Sequence, residues 1–290
     1  MEDVRPFLAN VIRGRRVPQD RVEEVVHHYA RFGGHSPLTE LTLRQAAALR
    51  SDLAARGPVL PVYVGMRNWT PYLHEALQQM RAHEVRRALG IVLAPHASYS
   101  SWDQYLENVA EARACVGPDA PAVDYVGAWY DHPGFIEAQA DRVAAALREV
   151  PPQRRAETPL IFTAHSIPTA MAGRSRYVEQ LTESARLVAA RLEHPRWSIA
   201  YQSRSGDPRT PWLEPDVAEV IRDLGSDGAG AVVLVPIGFV CDHIEVLYDL
   251  DTEARAGARE AGVAYHRAGT VMNHPAFIRM LGDLVRAAAG

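Results

Sequence analysis

Two segments end apolar runs in titratable clusters: PLIFTAHSIP (159–168) delivers His165, and VVLVPIGFVCDHIEVLYDLDTE (232–253) delivers Glu245. An imidazole titrates near neutrality, so it accepts a proton or ligates a borderline metal, and a facing carboxylate stabilises its charged form. Glu245, Asp249 and Glu253 follow at a spacing of four, which on a helix drifts only about 40° per step and aligns three carboxylates along one face. Like charges at this spacing cost about 0.2–0.5 kcal/mol per pair. With Asp242, His243 and Asp251 nearby, the row offers hard oxygen ligands able to conduct a divalent cation. The same acids also suit a solvated helix start favoured by the macrodipole, a reading that covers Glu245 better than Glu253, two turns on. His165 has a structural alternative too, as a lone histidine ending a strand. The 12 histidines show no HExxH or HxH pattern, so a zincin-type hydrolase has little support.

Both segments begin as continuous apolar, β-branched stretches, the pattern of strands buried on both faces of a parallel sheet. Strands are read at 59–66, 89–95, 123–129, 159–166, 197–203, 231–239 and 263–269. Between them, Phe135, Ile136, Ala140, Val143, Leu147 and Val150 recur at helical spacing, as do Val178, Leu181, Ala185, Val188 and Leu192. This alternation predicts an α/β fold with doubly wound parallel sheets. Ligands of such sheets bind outside the carboxyl ends of the strands, where His165 and the segment leading to Glu245 both fall. The Pro-rich, polar stretch 150–159 separates three strands from four and is the best candidate for a domain junction.

A chain of 290 residues accommodates two modest domains or one large one. Its net charge of −4, without a basic run longer than two, argues against a nucleic-acid partner. All 31 basic residues are Arg, a bias of genome composition that also suits bidentate carboxylate binding. Cys115 and Cys241 lie far apart, so no disulfide framework and no four-thiolate iron–sulfur cluster is expected within the chain. That usage fits a reducing cytoplasm, the expected location. No 18-residue apolar stretch exists and MEDVRPFLANVIRGRR lacks a signal-peptide core, so no transmembrane segment is expected.

Six motifs together resemble the ferrochelatase family over nearly the whole chain: RFGGHSPL (31–38), YVGMRNWTP (63–71), LAPHASYSSWDQY (93–105), TAHSIP (163–168), YQSRSGDPRTPWLEPDV (201–217) and PIGFVCDHIEVLYDLD (236–251). The resemblance implies two Rossmann-like domains around a porphyrin cleft, and insertion of Fe²⁺ into a porphyrin in haem synthesis. The first domain would comprise 1–131 with the C-terminal helix 272–290. The second, 132–271, would carry the histidine and glutamate. His165 and Glu245 match the family's catalytic pair, and with Asp249 and Glu253 they match its metal-handling row. Arg13 and Ser36 match positions that bind propionates at the pocket mouth, while Arg15 and Arg16 fit an exposed basic turn. Arg67, Asn68, Trp69 and Tyr105 match further pocket positions, whereas Tyr63 is expected to pack inside its strand. Porphyrin and Fe²⁺ are substrates in this scheme, no permanently bound cofactor is implied, and a monomer with a transient haem acceptor is expected.

The short, polar GRRVPQD (14–20) stands where membrane-associated relatives carry a longer apolar lip, and so resembles the soluble, coproporphyrin-using branch. Coproporphyrin III is the favoured substrate on this reading, with protoporphyrin IX the close alternative. Family members open with a hydrophobic strand and a Gly-Pro loop before the segment matching EDVRPFL (2–8), so the first domain is expected to lack that N-terminal strand. Two other functions stay open: a porphyrin or haem carrier without turnover, and a chelatase for another tetrapyrrole or metal such as Co²⁺. Intact His165 and Glu245 argue against the first. The RSGDPRTPWLEPD and HIEVLYD strings favour the iron enzyme over the second.

Overall fold

The apolar runs leading to His165 and Glu245 become neighbouring parallel strands of one sheet. The computed structural model describes residues 1–14, 17–205 and 209–289; Arg15, Arg16 and positions 206–208 of the YQSRSGDPRTPWLEPDV motif lie outside the described residues. The fold comprises two units: Met1–Leu93, Tyr99–Gly127 and Leu281–Gly290 form the first, Ala94–Ser98 and Ala128–Met280 the second.

In the first unit, α1 (Val4–Val11), α2 (Gln19–Arg31), α3 (Leu38–Arg56) and α4 (Leu73–Ala82) precede β1 (Arg87–Gly90), and a π-helical turn Tyr99–Asp103 leads into α5 (Gln104–Val116) and β2 (Ala122–Tyr125). β1 and β2 pair in parallel, in register from Arg87 with Ala122 to Gly90 with Tyr125. Leu77 of α4 packs with Ala112 and Val116 of α5 and with Ala120. Val4 and Leu8 of α1 pack with Val26 of α2. The strand expected at 59–66 does not form. That segment has only an isolated bridge from Met66 to Tyr72, and Val59 is 78% and Leu60 42% exposed. A β-branched run becomes a strand only by exchanging backbone hydrogen bonds with a neighbour, and among the described residues this unit's sheet contains β1 and β2 alone.

The second unit contains α6 (Pro133–Glu149), β3 (Leu160–His165), α7 (Thr169–Ala172), α8 (Tyr177–Arg191), β4 (Trp197–Gln202), α9 (Val217–Ser226), β5 (Ala231–Val235), a π-helix Val246–Ala254, α10 (Arg255–Glu260) and β6 (Ala264–Arg267), and it shares α11 (Pro275–Ala289). Among the described residues its four strands run parallel in the order β4-β3-β5-β6. Leu160, Ile161, Phe162 and Ala164 of β3 and Val232 to Val235 of β5 are fully buried, which is why these runs lack alternation. The strands stop short of the apolar runs that announce them; β5 ends at Val235 because Pro236 has no N–H to continue a ladder. Of the α8 pattern, Leu181, Ala185 and Val188 are fully buried, whereas Val178 is exposed.

The stretch 150–159 is not a junction between units. It joins α6 to β3 within the second unit through a 3₁₀ turn, Pro152–Glu157, with Val150 buried. The division falls after Gly127 rather than after residue 131. α11 begins at Pro275, and only its part from Leu281 onward belongs to the first unit. Its start repeats that of α6: His132-Pro133-Gly134-Phe135 and His274-Pro275-Ala276-Phe277 each use the histidine Nδ1 to accept the second following N–H, from Gly134 at 3.1 Å and Ala276 at 3.3 Å. Phe135 and Phe277 both pack on Trp129, with ring centroids 5.3 and 5.8 Å away. Among the described residues no helix is long and apolar enough to cross a membrane, and Cys115 and Cys241 are free thiols.

Candidate active site

The second unit's strand order reverses between β3 and β5, the position where open parallel sheets leave a crevice beyond the strand ends. His165 is the last residue of β3, and the loop 236–245 leaves β5 on the other side of that point. Gly238 lets the loop lie against the strand, donating from its N to the Thr163 carbonyl at 3.1 Å. A Cβ there would stand 2.7 Å from the Ala164 Cβ and 2.9 Å from its Cα. The end of β3 is tied down by three bonds: Ser166 N donates to the Gln202 carbonyl at 2.7 Å, Ser166 Oγ to the Leu213 carbonyl at 2.9 Å, and the buried Tyr177 hydroxyl to the His165 carbonyl at 2.9 Å.

Nδ1 of His165 lies 2.5 Å from the Ser166 carbonyl oxygen. A carbonyl only accepts, so Nδ1 is assigned as the protonated nitrogen and, in the neutral ring, Nε2 carries the lone pair. Nε2 points to Glu245, with Oε1 at 3.8 Å. The other oxygen of Glu245 lies 4.0 Å from His243 Nδ1, so one carboxylate stands between two imidazoles. Burial holds the His243 imidazole below its usual range; the charges of Glu245 and Asp242 oppose that shift and His165 adds to it. Its ring packs edge-on against Phe239, centroids 4.7 Å apart.

The carboxylate row continues on the π-helix. Its i→i+5 bonding winds more residues into each turn than an α-helix does, and such segments concentrate at functional sites. Residues four apart still share a side. Thr252 Oγ1 follows this winding, donating to the carbonyl of Leu247, five residues back, at 3.4 Å. Ser203, beyond the end of β4, donates a very short hydrogen bond to Asp249 Oδ2. Its backbone has φ +63°, the left-handed region that serine seldom adopts and that clusters at working sites. Burial pushes the Asp249 carboxyl up to about 7; the charges of Glu245 and Glu253 add to the shift, while the Ser203 hydrogen bond and His165 oppose it. Among the described residues no three His, Cys, Asp or Glu side chains form a ready-made metal cage. Any two of these ligands would share an ion with water or with donors of a substrate.

The remaining candidates belong to the first unit. Arg13, exposed just beyond α1, donates to Asn10 Oδ1 at 2.6 Å, and Asn10 Nδ2 donates to the Asn68 carbonyl and the Tyr72 hydroxyl, both at 3.1 Å. Trp69 meets Phe7 edge-on, centroids 6.3 Å apart. Arg67 lies over the Tyr105 ring, 4.7 Å from its centroid, and donates to Asn108 Oδ1 at 2.8 Å and the Ser100 carbonyl at 3.3 Å. Those contacts hold the Arg67 guanidinium in place. Ser36 accepts from Leu38 N at 3.4 Å at the start of α3. Thus Arg67 and Tyr105 meet directly, Arg13 and Asn68 through Asn10, and Tyr63 pairs with His83 at 2.8 Å on an exposed face instead of packing inside a strand. The sequence reading does not single out His243 as Glu245's second neighbour, nor Ser203. Their signals are the His-x-Glu spacing and a serine beyond the end of β4.

The profile described as Ferrochelatase matches residues 1–289. The chain belongs to the ferrochelatase family. The coproporphyrin III ferrochelatase of Mycolicibacterium smegmatis is 44% identical over 287 residues, covering 98% of this chain and 84% of that protein. That of Streptomyces griseus is 45% identical over 302 residues, covering 98% and 80%. The ferrochelatase of Rhodopirellula baltica is 45% identical over 290 residues, covering 100% and 82%. Among solved structures, SirB from Bacillus subtilis with Fe³⁺ has a TM-score of 0.60 at 13% identity, covering 85% of this chain and 89% of that one. CbiX, described as the terminal enzyme of sirohaem biosynthesis in denitrifying bacteria, has a TM-score of 0.56 at 16% identity, covering 88% and 94%. These likenesses show the chelatase fold. This ferrochelatase is therefore a lyase of haem biosynthesis that inserts metal into a porphyrin, and His165 with Glu245 stands at the switch point of its second unit.

Proposed function

We propose that this ferrochelatase inserts Fe²⁺ into coproporphyrin III, with protoporphyrin IX the second substrate, and releases two pyrrole protons per turnover. One metal dication enters, two N–H bonds break, and the macrocycle's charge balance is kept. The observation that carries the reading is the orientation of His165: its Nδ1 is occupied by the Ser166 carbonyl, which leaves Nε2 as a lone-pair nitrogen 3.8 Å from Glu245. Nε2 accepts the first pyrrole proton. The imidazolium so formed gains between about 1 and 4 kcal/mol from the Glu245 carboxylate, the lower figure applying where water screens the pair. Glu245, with the neutral His243 behind it, is the second acceptor. Asp249 and Glu253 hold the hydrated ion as it gives up water, and Asp249, titrating near neutrality, exchanges a proton for metal with little change in driving force.

Arg13 and Ser36 serve the propionates. Arg13 presents a planar fork suited to a carboxylate, and the polar segment 14–20 suits a substrate with more carboxylates. The names of the Mycolicibacterium and Streptomyces relatives support coproporphyrin III. The reading is tested by anaerobic Fe²⁺ insertion followed by absorbance, with both porphyrins in parallel. His165→Ala is expected to bind porphyrin, seen as fluorescence quenching, and to lose insertion. Retained turnover in that variant removes the histidine from the chemistry, and a higher kcat/KM for protoporphyrin IX reverses the substrate assignment.

A further inference from the structure

Arg267, the last residue of β6, bonds to aspartates on both segments that carry the candidate site. Its Nε donates to Asp251 Oδ1 at 2.8 Å, while Nη1 and Nη2 reach Asp242 Oδ1 and Oδ2 at 3.2 and 3.3 Å. The three side chains are only 13%, 20% and 21% exposed for Arg267, Asp242 and Asp251. Thr270, fully buried, adds a bond from Oγ1 to Asp242 Oδ1 at 3.1 Å. Asp242 immediately precedes His243 and lies three residues before Glu245. Asp251 lies between Asp249 and Glu253 on the π-helix. One guanidinium therefore joins the loop that carries the imidazole–carboxylate cluster to the helix that carries the rest of the row.

We propose that Arg267 is a positioning residue for metal insertion, its fork setting the spacing between the His243–Glu245 pair and the Asp249 carboxylate. The inference rests on the reading of His165 and Glu245 as the reacting pair. A network kept for stability alone has no need of this geometry, since apolar residues of similar volume do as well as buried ion pairs. A fork is required where two carboxylates must be held at a set separation, because guanidinium binds in a plane and at two edges, whereas an ammonium is a point charge. The same strand makes a second tie to the same helix: Tyr265, two residues back and on the same face, donates from its hydroxyl to the Leu250 carbonyl at 2.7 Å. β6 thus grips the π-helix by a carbonyl and a carboxylate, with the loop held by the other edge of the fork. Burial works against the charge of Arg267, but the hydrogen bond to Asp251 and the charges of both aspartates outweigh it and hold the guanidinium above its ordinary range.

Two variants test this in the 290-residue chain. Arg267→Lys keeps the charge and loses the two-edged fork. The triple variant R267M/D242N/D251N removes every charge together, so no carboxylate is left buried and unpaired. Each is measured for Tm, for porphyrin affinity by fluorescence quenching, and for kcat and the KM of Fe²⁺ by anaerobic insertion. The expected result is porphyrin affinity unchanged and kcat lowered roughly 10- to 100-fold, the scale of a misplacement near 1 Å, in protein that melts cooperatively. Wild-type kcat in either folded variant overturns the proposal. So does failure of both to fold, which would make the network a stability element. His165→Ala, run alongside, separates the two readings: if it keeps turnover, the reacting pair is wrong whatever the Arg267 variants do. If it is inactive while they turn over normally, only the inference about Arg267 falls.

Discussion

Replacing Gly238 by alanine perturbs the site without touching any group that titrates. The added Cβ would stand 2.7 Å from the Ala164 Cβ and 2.9 Å from its Cα, against an ordinary contact of 3.4–4 Å. Ala164 belongs to the central strand β3 and is fully buried, so the loop must give way, by roughly 0.7–1 Å. The bond from Gly238 N to the Thr163 carbonyl, now 3.1 Å, would stretch to about 4 Å and cease to count as one. Losing it costs about 1 kcal/mol, and the residual overpacking about 1–3 kcal/mol. The sum, about 2–4 kcal/mol, corresponds to a fall in Tm of roughly 4–16 °C in a unit of this size. Because the same loop ends in His243 and Glu245, a displacement near 1 Å is also expected to lower kcat by on the order of 100-fold. Differential scanning calorimetry and anaerobic Fe²⁺ insertion read the two effects on one preparation. Ala164→Gly placed on the Gly238→Ala background removes the nearer of the two clashing atoms and should restore part of both. A Gly238→Ala enzyme with wild-type Tm and kcat would refute the close-packing argument altogether.

Other expectations follow from the electrostatics and the candidate propionate site. Asp249, at about 7 in the folded protein against an ordinary 3.8, binds its proton more tightly folded than unfolded. Its contribution to stability is therefore full below the unfolded value and is lost as pH rises through the folded one. A carboxamide in its place does not titrate, so the Tm of Asp249→Asn minus that of wild type should grow between about pH 4.5 and 8; a flat difference contradicts the buried assignment. Arg13→Ala is expected to raise the porphyrin KM roughly 3- to 10-fold with kcat little changed, as befits an exposed charge-assisted contact. Initial rates against coproporphyrin III decide it, and an unchanged KM removes Arg13 from the propionate site.

The sequence by itself determined the elements whose signal is local. β3 and β5 are continuous apolar runs because both faces of each strand are buried, and the titratable clusters begin where such runs stop, so the pattern alone puts His165 and the loop to Glu245 at strand ends. The motifs likewise sufficed for the family. What only the tertiary structure decided depends on groups distant in sequence finding each other. The run at 59–66 has strand composition and no strand, because a ladder requires a partner that composition does not supply. The acidic row reads as α-helical in spacing, yet the chain winds it as a π-helix whose Leu250 carbonyl is taken by Tyr265, 15 residues on. Ser203 meets Asp249 across 46 residues, and Arg267 reaches Asp242 and Asp251 across 25 and 16. Periodicity records which face of an element is apolar, and so it reports burial. Hydrogen bonds between polar side chains leave no periodic trace, and the pairings that orient this site are set by how the strands and the π-helix pack.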